Sequence, residues 1–284
     1  MKIFEIDIPK LLYSDFFWEI TKYIEEKNII KGKSIFTPNP EICLETLSDK
    51  AFLDTLQQAD YLTSDGIGLF LAYQIEDFMK HTETRGIKRK IQAFFLLPYF
   101  ILRLLFQKEV LYSLYGERIC GSTITEDLLY FCEKKAIPIA ILDPYFPHDV
   151  AKCESQRFFS ENLKKVFPKL NFEYHIYTEV RKTEIFEKIR ENQAKVLFST
   201  LWMKRQEYSI IEALNVCPNI HLGLAVGSSF DYFTGFQKRA PEIFRSLGFE
   251  WVYRIFTSPN KLKRLKRIYH AVVIFPCKVI YYER

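Results

Sequence analysis

Paired cysteines are missing from this sequence. Its six cysteines, Cys43, Cys120, Cys132, Cys153, Cys217 and Cys277, are scattered, with no C-x-x-C pair and no nearby histidine at ligand spacing. That argues against a disulfide framework and a zinc site, and it suits a reducing compartment. A secretion signal is missing too. The start MKIFEIDIPK has no basic stretch leading into an apolar run, so the expected location is the cytosol or the cytosolic face of a membrane. The apolar segment Ile91–Phe106, IQAFFLLPYFILRLLF, is sixteen residues long, broken by Pro98 and charged at Arg103. It is too short and too interrupted to span a bilayer comfortably. Neither an internal repeat nor a low-complexity tract is visible, and no recognisable nucleic-acid-binding module is present.

What is present is a 284-residue chain, 48% apolar and 26% charged, an ordinary globular balance with room for a substantial core. Aromatic residues are abundant, with 26 Phe and 17 Tyr. Such rings serve contacts with lipid or sugar as well as Phe-rich cores. The net charge of +5 is unevenly distributed. From position 254 onward, Arg254, Lys261, Lys263, Arg264, Lys266, Arg267, Lys278 and Arg284 face one acid, Glu283. A basic cluster attracts phosphate, whether of nucleotide, nucleic acid or anionic lipid; a solvated helix face accounts for the same pattern.

Along the chain, short apolar runs alternate with amphipathic helical patterns. Ser14 is positioned to cap a helix through FFWEITKYIEEKN, and Lys50–Ala59 reads as a second helix. Asp60–Thr63, Ile137–Leu142, Phe172–Tyr177, Val196–Ser199 and Leu222–Val226 read as strands. This order predicts an α/β, Rossmann-like fold, a mostly parallel sheet flanked by helices, with a helical C-terminal appendage. The expected division is a core over 1–253, an apolar helical insertion at about 79–114, and a basic and apolar appendage over 254–284. Ahead of Ile91 stand Lys88, Arg89 and Lys90, a pattern that fits an in-plane membrane helix, a buried hairpin or a dimer contact. Lys261–Tyr282 runs from a basic turn into AVVIFPCKVIYY, which suits interfacial burial or a helix packed on the core.

Ligands of such sheets gather at the carboxyl ends of the strands. Thr37, Asp65, Ser199–Thr200 and Gly227 each fall just after a predicted strand, so one cleft can collect them. Thr37-Pro38-Asn39 is first a turn and cap sequence. Asp65, beside Gly66 and Gly68, is an ordinary turn residue or a carboxylate suited to general-base work. The block Gly227–Pro259, GSSFDYFTGFQKRAPEIFRSLGFEWVYRIFTSP, holds more specific polar groups than packing requires.

On these residues the sequence resembles the WecG/TagA/CpsF glycosyltransferases of bacterial surface-polysaccharide synthesis, over about 36–258. The family pattern G-G-x-F-D-x-x-x-G-x-x-x-R-A-P, then L-G-x-E-W-x-Y-R, matches that block. Its T-x-N and D-G-x-G match Thr37, Asn39, Asp65, Gly66 and Gly68. Arg118 and Gly121 match R-x-T-G-x-D, with Cys120 and Thr123 replacing the usual Thr and Asp. Gln206-Glu207 match the end of G-x-G-x-P-K-Q-E, while Thr200, Trp202 and Lys204 occupy the Gly, Gly and Pro positions.

The resemblance implies an inverting transferase that moves N-acetylmannosamine or a related hexose from a UDP-sugar to a sugar on a polyprenyl diphosphate. Asp65 would be its base. Thr37, Asn39 and Gly66 would shape the donor pocket, and Gln206, Gly227 and Asp231 would line the cleft. Arg118, Arg254, Lys261 and Arg264 would meet phosphate. No D-x-D motif for a divalent ion is present, and the resemblance implies chemistry without a metal or other cofactor. It also implies work at the cytoplasmic face of the inner membrane, contact with the membrane surface, possible self-association and no nucleic-acid partner. Two rivals are a catalytically degenerate member that binds a nucleotide sugar or a partner protein, and a nucleic-acid binder using the basic C-terminus.

Overall fold

The computed structural model describes residues 1–146, 149–238, 240–241, 244, 250–257 and 261–282; the side chains of 150, 250, 251, 252, 254, 263 and 264 lie outside that description. The chain opens with a small antiparallel pair, β1 (Lys2–Ile3) and β2 (Ile6–Asp7), then α1 (Tyr13–Glu25), β3 (Lys33–Phe36), α2 (Pro40–Glu45), α3 (Lys50–Gln57), β4 (Tyr61–Leu62) and α4 (Ile67–His81). A helical excursion follows: α5 (Gly86–Phe95), α6 (Leu97–Phe106) and α7 (Lys108–Tyr115). The second half runs α8 (Gly121–Lys135), β5 (Ile139–Pro144), α9 (Val150–Arg157), α10 (Phe159–Val166), β6 (Phe172–Tyr177), α11 (Lys182–Glu191), β7 (Val196–Ser199), α12 (Arg205–Val216) and β8 (Leu222–Ala225). A 3-10 turn, Gly227–Tyr232, leads on to α13 (Glu250–Thr257), α14 (Lys261–Tyr269), a π-helical turn (His270–Ile274) and α15 (Phe275–Tyr281).

Six strands form one parallel sheet in the order β4-β3-β8-β7-β5-β6. The inner strands β7 and β8 are buried along their whole length and nearly continuous in apolar residues, while the edge strand β6 is only partly buried. Successive side chains still divide between the two sides. Ile139, Ile141, Val196 and Phe198 pack with α1, α8 and α10. Ala140, Leu142 and Leu197 pack with α3, α4, α11 and α12. The sequence-predicted strands 172–177 and 196–199 coincide with β6 and β7, while β5 starts and ends two residues later than expected.

One expectation needs correction. Ser14 does not cap α1; the backbone N–H of Tyr13 donates to Glu117 Oε2 at 2.7 Å, from a segment far along the chain. The 91–106 run forms parts of two helices. Helices α5 and α6 meet at Leu96, with Pro98 in the first turn of α6 where its missing N–H costs nothing. Among the described residues no helix is long and apolar enough to cross a membrane. Helix α15 buries Phe275, Pro276, Val279 and Ile280 and packs on α4, so this helix is part of the core.

Candidate functional site

The polar residues collect at the carboxyl ends of the strands. The connection leaving β5 leads outward to β6, and the one leaving β7 leads the other way to β8. Diverging exits of this kind open a crevice above the sheet.

Thr37 leaves β3 buried, and its Oγ1 donates to the carbonyl of Ala225 at 3.4 Å. Gly121, the first residue of α8, sits directly on it. A β-carbon there would lie 3.3 Å from Thr37 Oγ1 and 3.8 Å from Ser229 Oγ. A side chain there would press on Thr37 and touch Ser229, so glycine lets the helix start close to both hydroxyls without displacing either. Asn39 has a structural task in this arrangement: its Oδ1 accepts from the backbone N–H groups of Glu41 (2.9 Å) and Ile42 (3.1 Å), capping α2.

Asp65 follows β4 and is half-buried. Its backbone N–H donates to Pro38 O at 3.1 Å, and the preceding Ser64 O accepts from Ile119 N at 3.1 Å. The Asp65 turn is thus held between the β3 exit and the Arg118–Cys120 segment. Gly66 has φ +96°, a conformation that side chains disfavour, and it begins α4 without a side-chain cap. Helix α8 also lacks a side-chain cap and has no acid in its first turn. Uncapped N–H groups at a helix start favour anions.

Arg118 is half-buried and borders an apolar groove with Ile67, Phe70, Leu104, Lys108, Leu111 and Tyr112. Burial raises the Tyr112 hydroxyl pKa, and the charge of Arg118 pulls against it. The C-terminal run reaches the starts of α2 and α4. A β-carbon on Gly68 would lie 2.6 Å from Pro40 Cγ and 3.4 Å from the carbonyl of Ala271, and Arg267 Nε lies 3.7 Å from Glu41 Oε2. Lys261 is exposed at the start of α14. The side chains of Arg254 and Arg264 lie outside the described residues.

Gln206 and Gly227 meet: Gly227 N donates to Gln206 Oε1 at 3.0 Å, and Gln206 Nε2 donates to Glu207 Oε1 at 2.7 Å. Glu207 is fully buried, and burial pushes its carboxyl up to about 7. Asp231 is bound to Lys152 Nζ at 2.6 Å and accepts from Gln237 Nε2 at 3.1 Å. The ammonium also lies 3.9 Å from the centre of the Phe236 ring.

Sequence reasoning missed Asp143. It lies at the end of β5, where its carboxylate accepts from Thr200 Oγ1, Gln156 Nε2 (2.6 Å) and Tyr174 OH (2.7 Å). Burial, followed by the charge of Asp143, raises the Tyr174 hydroxyl pKa. An Asp-Pro ending an apolar run was the available signal. Thr200 therefore turns toward Asp143, Trp202 packs its ring 5.4 Å from that of Phe146, and Lys204 binds Glu45 (2.5 Å) and Asp49 (2.8 Å). Among the described residues no group of three or more His, Cys, Asp or Glu side chains is placed to hold a metal ion.

The sequence matches the glycosyl transferase WecG/TagA/CpsF family over residues 1–101 and 102–284. The chain belongs to this family. Membership makes it a glycosyltransferase of cell-surface polysaccharide synthesis and implies a nucleotide-sugar donor and a lipid-linked acceptor. Within this WecG/TagA/CpsF fold, Thr37, Asp65, Gly66 and Arg118 lie around neighbouring backbone segments. Gln206 and Gly227 form a second contact at the exits of β7 and β8. Asp231 is tied to α9 through Lys152.

Proposed function

We propose that the chain is an inverting, metal-independent glycosyltransferase that moves N-acetylmannosamine or a related hexose from a UDP-sugar to a sugar on a polyprenyl diphosphate. It works at the cytoplasmic face of the plasma membrane, as a peripheral protein. The observation that carries the reading is the packing around Asp65, held between the Thr37 turn and the Arg118 segment, with the C-terminal run against Gly68 three residues on.

Asp65 takes the proton from the acceptor hydroxyl as that oxygen attacks the anomeric carbon. The new glycosidic bond forms while the bond from that carbon to the diphosphate breaks, and UDP leaves with the bonding electrons. Attack opposite the leaving group inverts the configuration. Arg118, the uncapped N–H groups of α8, and Arg254, Lys261 and Arg264 stabilise the charge that develops on the diphosphate. Thr37 and Gly66 shape the donor floor, with Asn39 holding that floor through α2. Gln206 fixes the Gly227 turn, and Asp231 holds α9 against the loop after β8.

A second reading, nucleotide-sugar binding without turnover, draws on Thr200, Trp202 and Lys204, whose side chains occupy positions that are Gly, Gly and Pro in the family pattern. Calorimetric titration of UDP into wild type and Arg254→Ala, with and without EDTA, tests the donor site. The expected result is binding that survives EDTA and falls about tenfold in the variant, the size of one lost charge-assisted hydrogen bond. Binding that requires a divalent ion, or that ignores Arg254, contradicts the proposal. Binding without transfer to any acceptor favours the second reading.

A further inference from the structure

The excursion α5–α7 carries a row of apolar side chains that the rest of the chain does not cover. Ile87, Ile91 and Phe95 on α5 recur at helical spacing, as do Tyr99, Leu102 and Phe106 on α6 and Val110 and Leu114 on α7; all are exposed, Phe95 by 75% and Phe106 by 80%. Their opposite faces are occupied, with Ala93, Phe100, Leu104 and Leu111 buried in the core. Soluble monomers seldom leave a contiguous apolar patch of this extent open to water.

Charge indicates what covers it. Between positions 86 and 115 the sequence holds Lys88, Arg89, Lys90, Arg103 and Lys108 against a single acid, Glu109. Two copies meeting through this face would oppose like charges, whereas an anionic bilayer offers hydrocarbon for the rings and negative headgroups for the lysines. Helices α5 and α6 have ten residues each, about 15 Å of rise, half the hydrocarbon thickness. They are long enough to lie in the interface and too short to cross it.

We propose that the α5–α7 excursion is a docking face for an anionic lipid bilayer. The inference rests on the proposed lipid-linked acceptor, and it assigns that substrate an approach route. Helices α6 and α7 present apolar residues outward, and with their other sides they line the groove of Ile67, Phe70, Leu104, Lys108 and Arg118. Ile67 follows Asp65 by two positions. Docking through the outer faces therefore lays the bilayer beside the helices whose inner sides meet Ile67 and Arg118.

Flotation of the full-length protein with vesicles of phosphatidylcholine alone, or mixed with phosphatidylglycerol, tests the face. Wild type floats with the mixed vesicles. Phe95→Glu/Phe106→Glu, whose sites are exposed enough to leave the fold intact, lowers partitioning about tenfold or more. Lys88→Glu lowers it about fivefold and weakens its salt dependence. Circular dichroism and thermal melting confirm that both variants fold. A double variant that floats like wild type overturns the proposal. So does one that turns a wild-type dimer into a monomer in sedimentation without altering flotation, since the face is then a self-association surface.

A transfer assay with two acceptors separates this inference from the proposed function. Loss of transfer to a long-chain polyprenyl diphosphate sugar in vesicles, with transfer to a short-chain soluble analogue retained, supports both. Wild type that transfers to neither acceptor, while the flotation difference persists, sinks the enzymatic reading and leaves the docking face standing.

Discussion

Gln206 Oε1 lies 3.0 Å from the backbone nitrogen of Gly227 and accepts its hydrogen bond. This one contact joins the start of α12 to the turn that leaves β8. The amide is oriented by Glu207, whose Oε1 takes the Nε2 hydrogen bond at 2.7 Å. Gln206→Leu keeps the volume but removes both bonds in a buried place. A loss of about 1–3 kcal/mol in urea unfolding is expected, with weaker UDP binding. Unchanged stability and unchanged UDP affinity would show that the contact has no such role.

Glu207 makes the stability of the protein depend on pH. Burial raises its carboxyl from 4.5 to about 7, so the folded state binds the proton more tightly than the unfolded chain. Its contribution is fully present below the unfolded pKa and is lost as the pH rises through about 7. The whole swing is about 3 kcal/mol. Glu207→Gln keeps an acceptor for Gln206 and removes the titration. Urea midpoints for the variant are expected to vary less between about pH 5 and 8. Parallel curves for variant and wild type would assign the slope to other groups.

Lys152 and Asp231 form a mostly buried pair, with 19% and 14% of their side chains exposed. Lys152→Met leaves the Asp231 carboxylate with a lost partner and is expected to cost about 1–3 kcal/mol, below the penalty of a fully buried charge. Adding Asp231→Asn to Lys152→Met recovers part of the loss if the two interact directly. A double-mutant cycle in chemical denaturation measures the coupling, and strict additivity would deny it.

The sheet was largely legible in the sequence. Its inner strands are buried on both faces and appear as unbroken runs of Val, Leu and Phe, as at 196–199. The features that escaped depend on partners far along the chain. Ser14 has the residue type of a cap, yet Glu117 takes the task because the loop after α7 passes the start of α1. Asp143 ends a strand in an Asp-Pro pair but draws its donors from three other segments, which that local pattern does not announce. Asn39 was legible as both a cap and a ligand; the geometry gives its carbonyl oxygen to α2. Thr200, Trp202 and Lys204 stand at positions that are Gly, Gly and Pro in the family pattern, and each engages a neighbour far along the chain.

Transfer of labelled sugar from UDP-N-acetylmannosamine and related UDP-hexoses to a vesicle-embedded polyprenyl diphosphate sugar, by wild type and Asp65→Asn in EDTA, tests the central claim most directly. The account predicts transfer by wild type and a rate about 10²–10⁴-fold lower in the variant, with UDP affinity unchanged. Transfer by Asp65→Asn at the wild-type rate would contradict the role given to Asp65, and no transfer by wild type from any UDP-sugar would contradict the account itself.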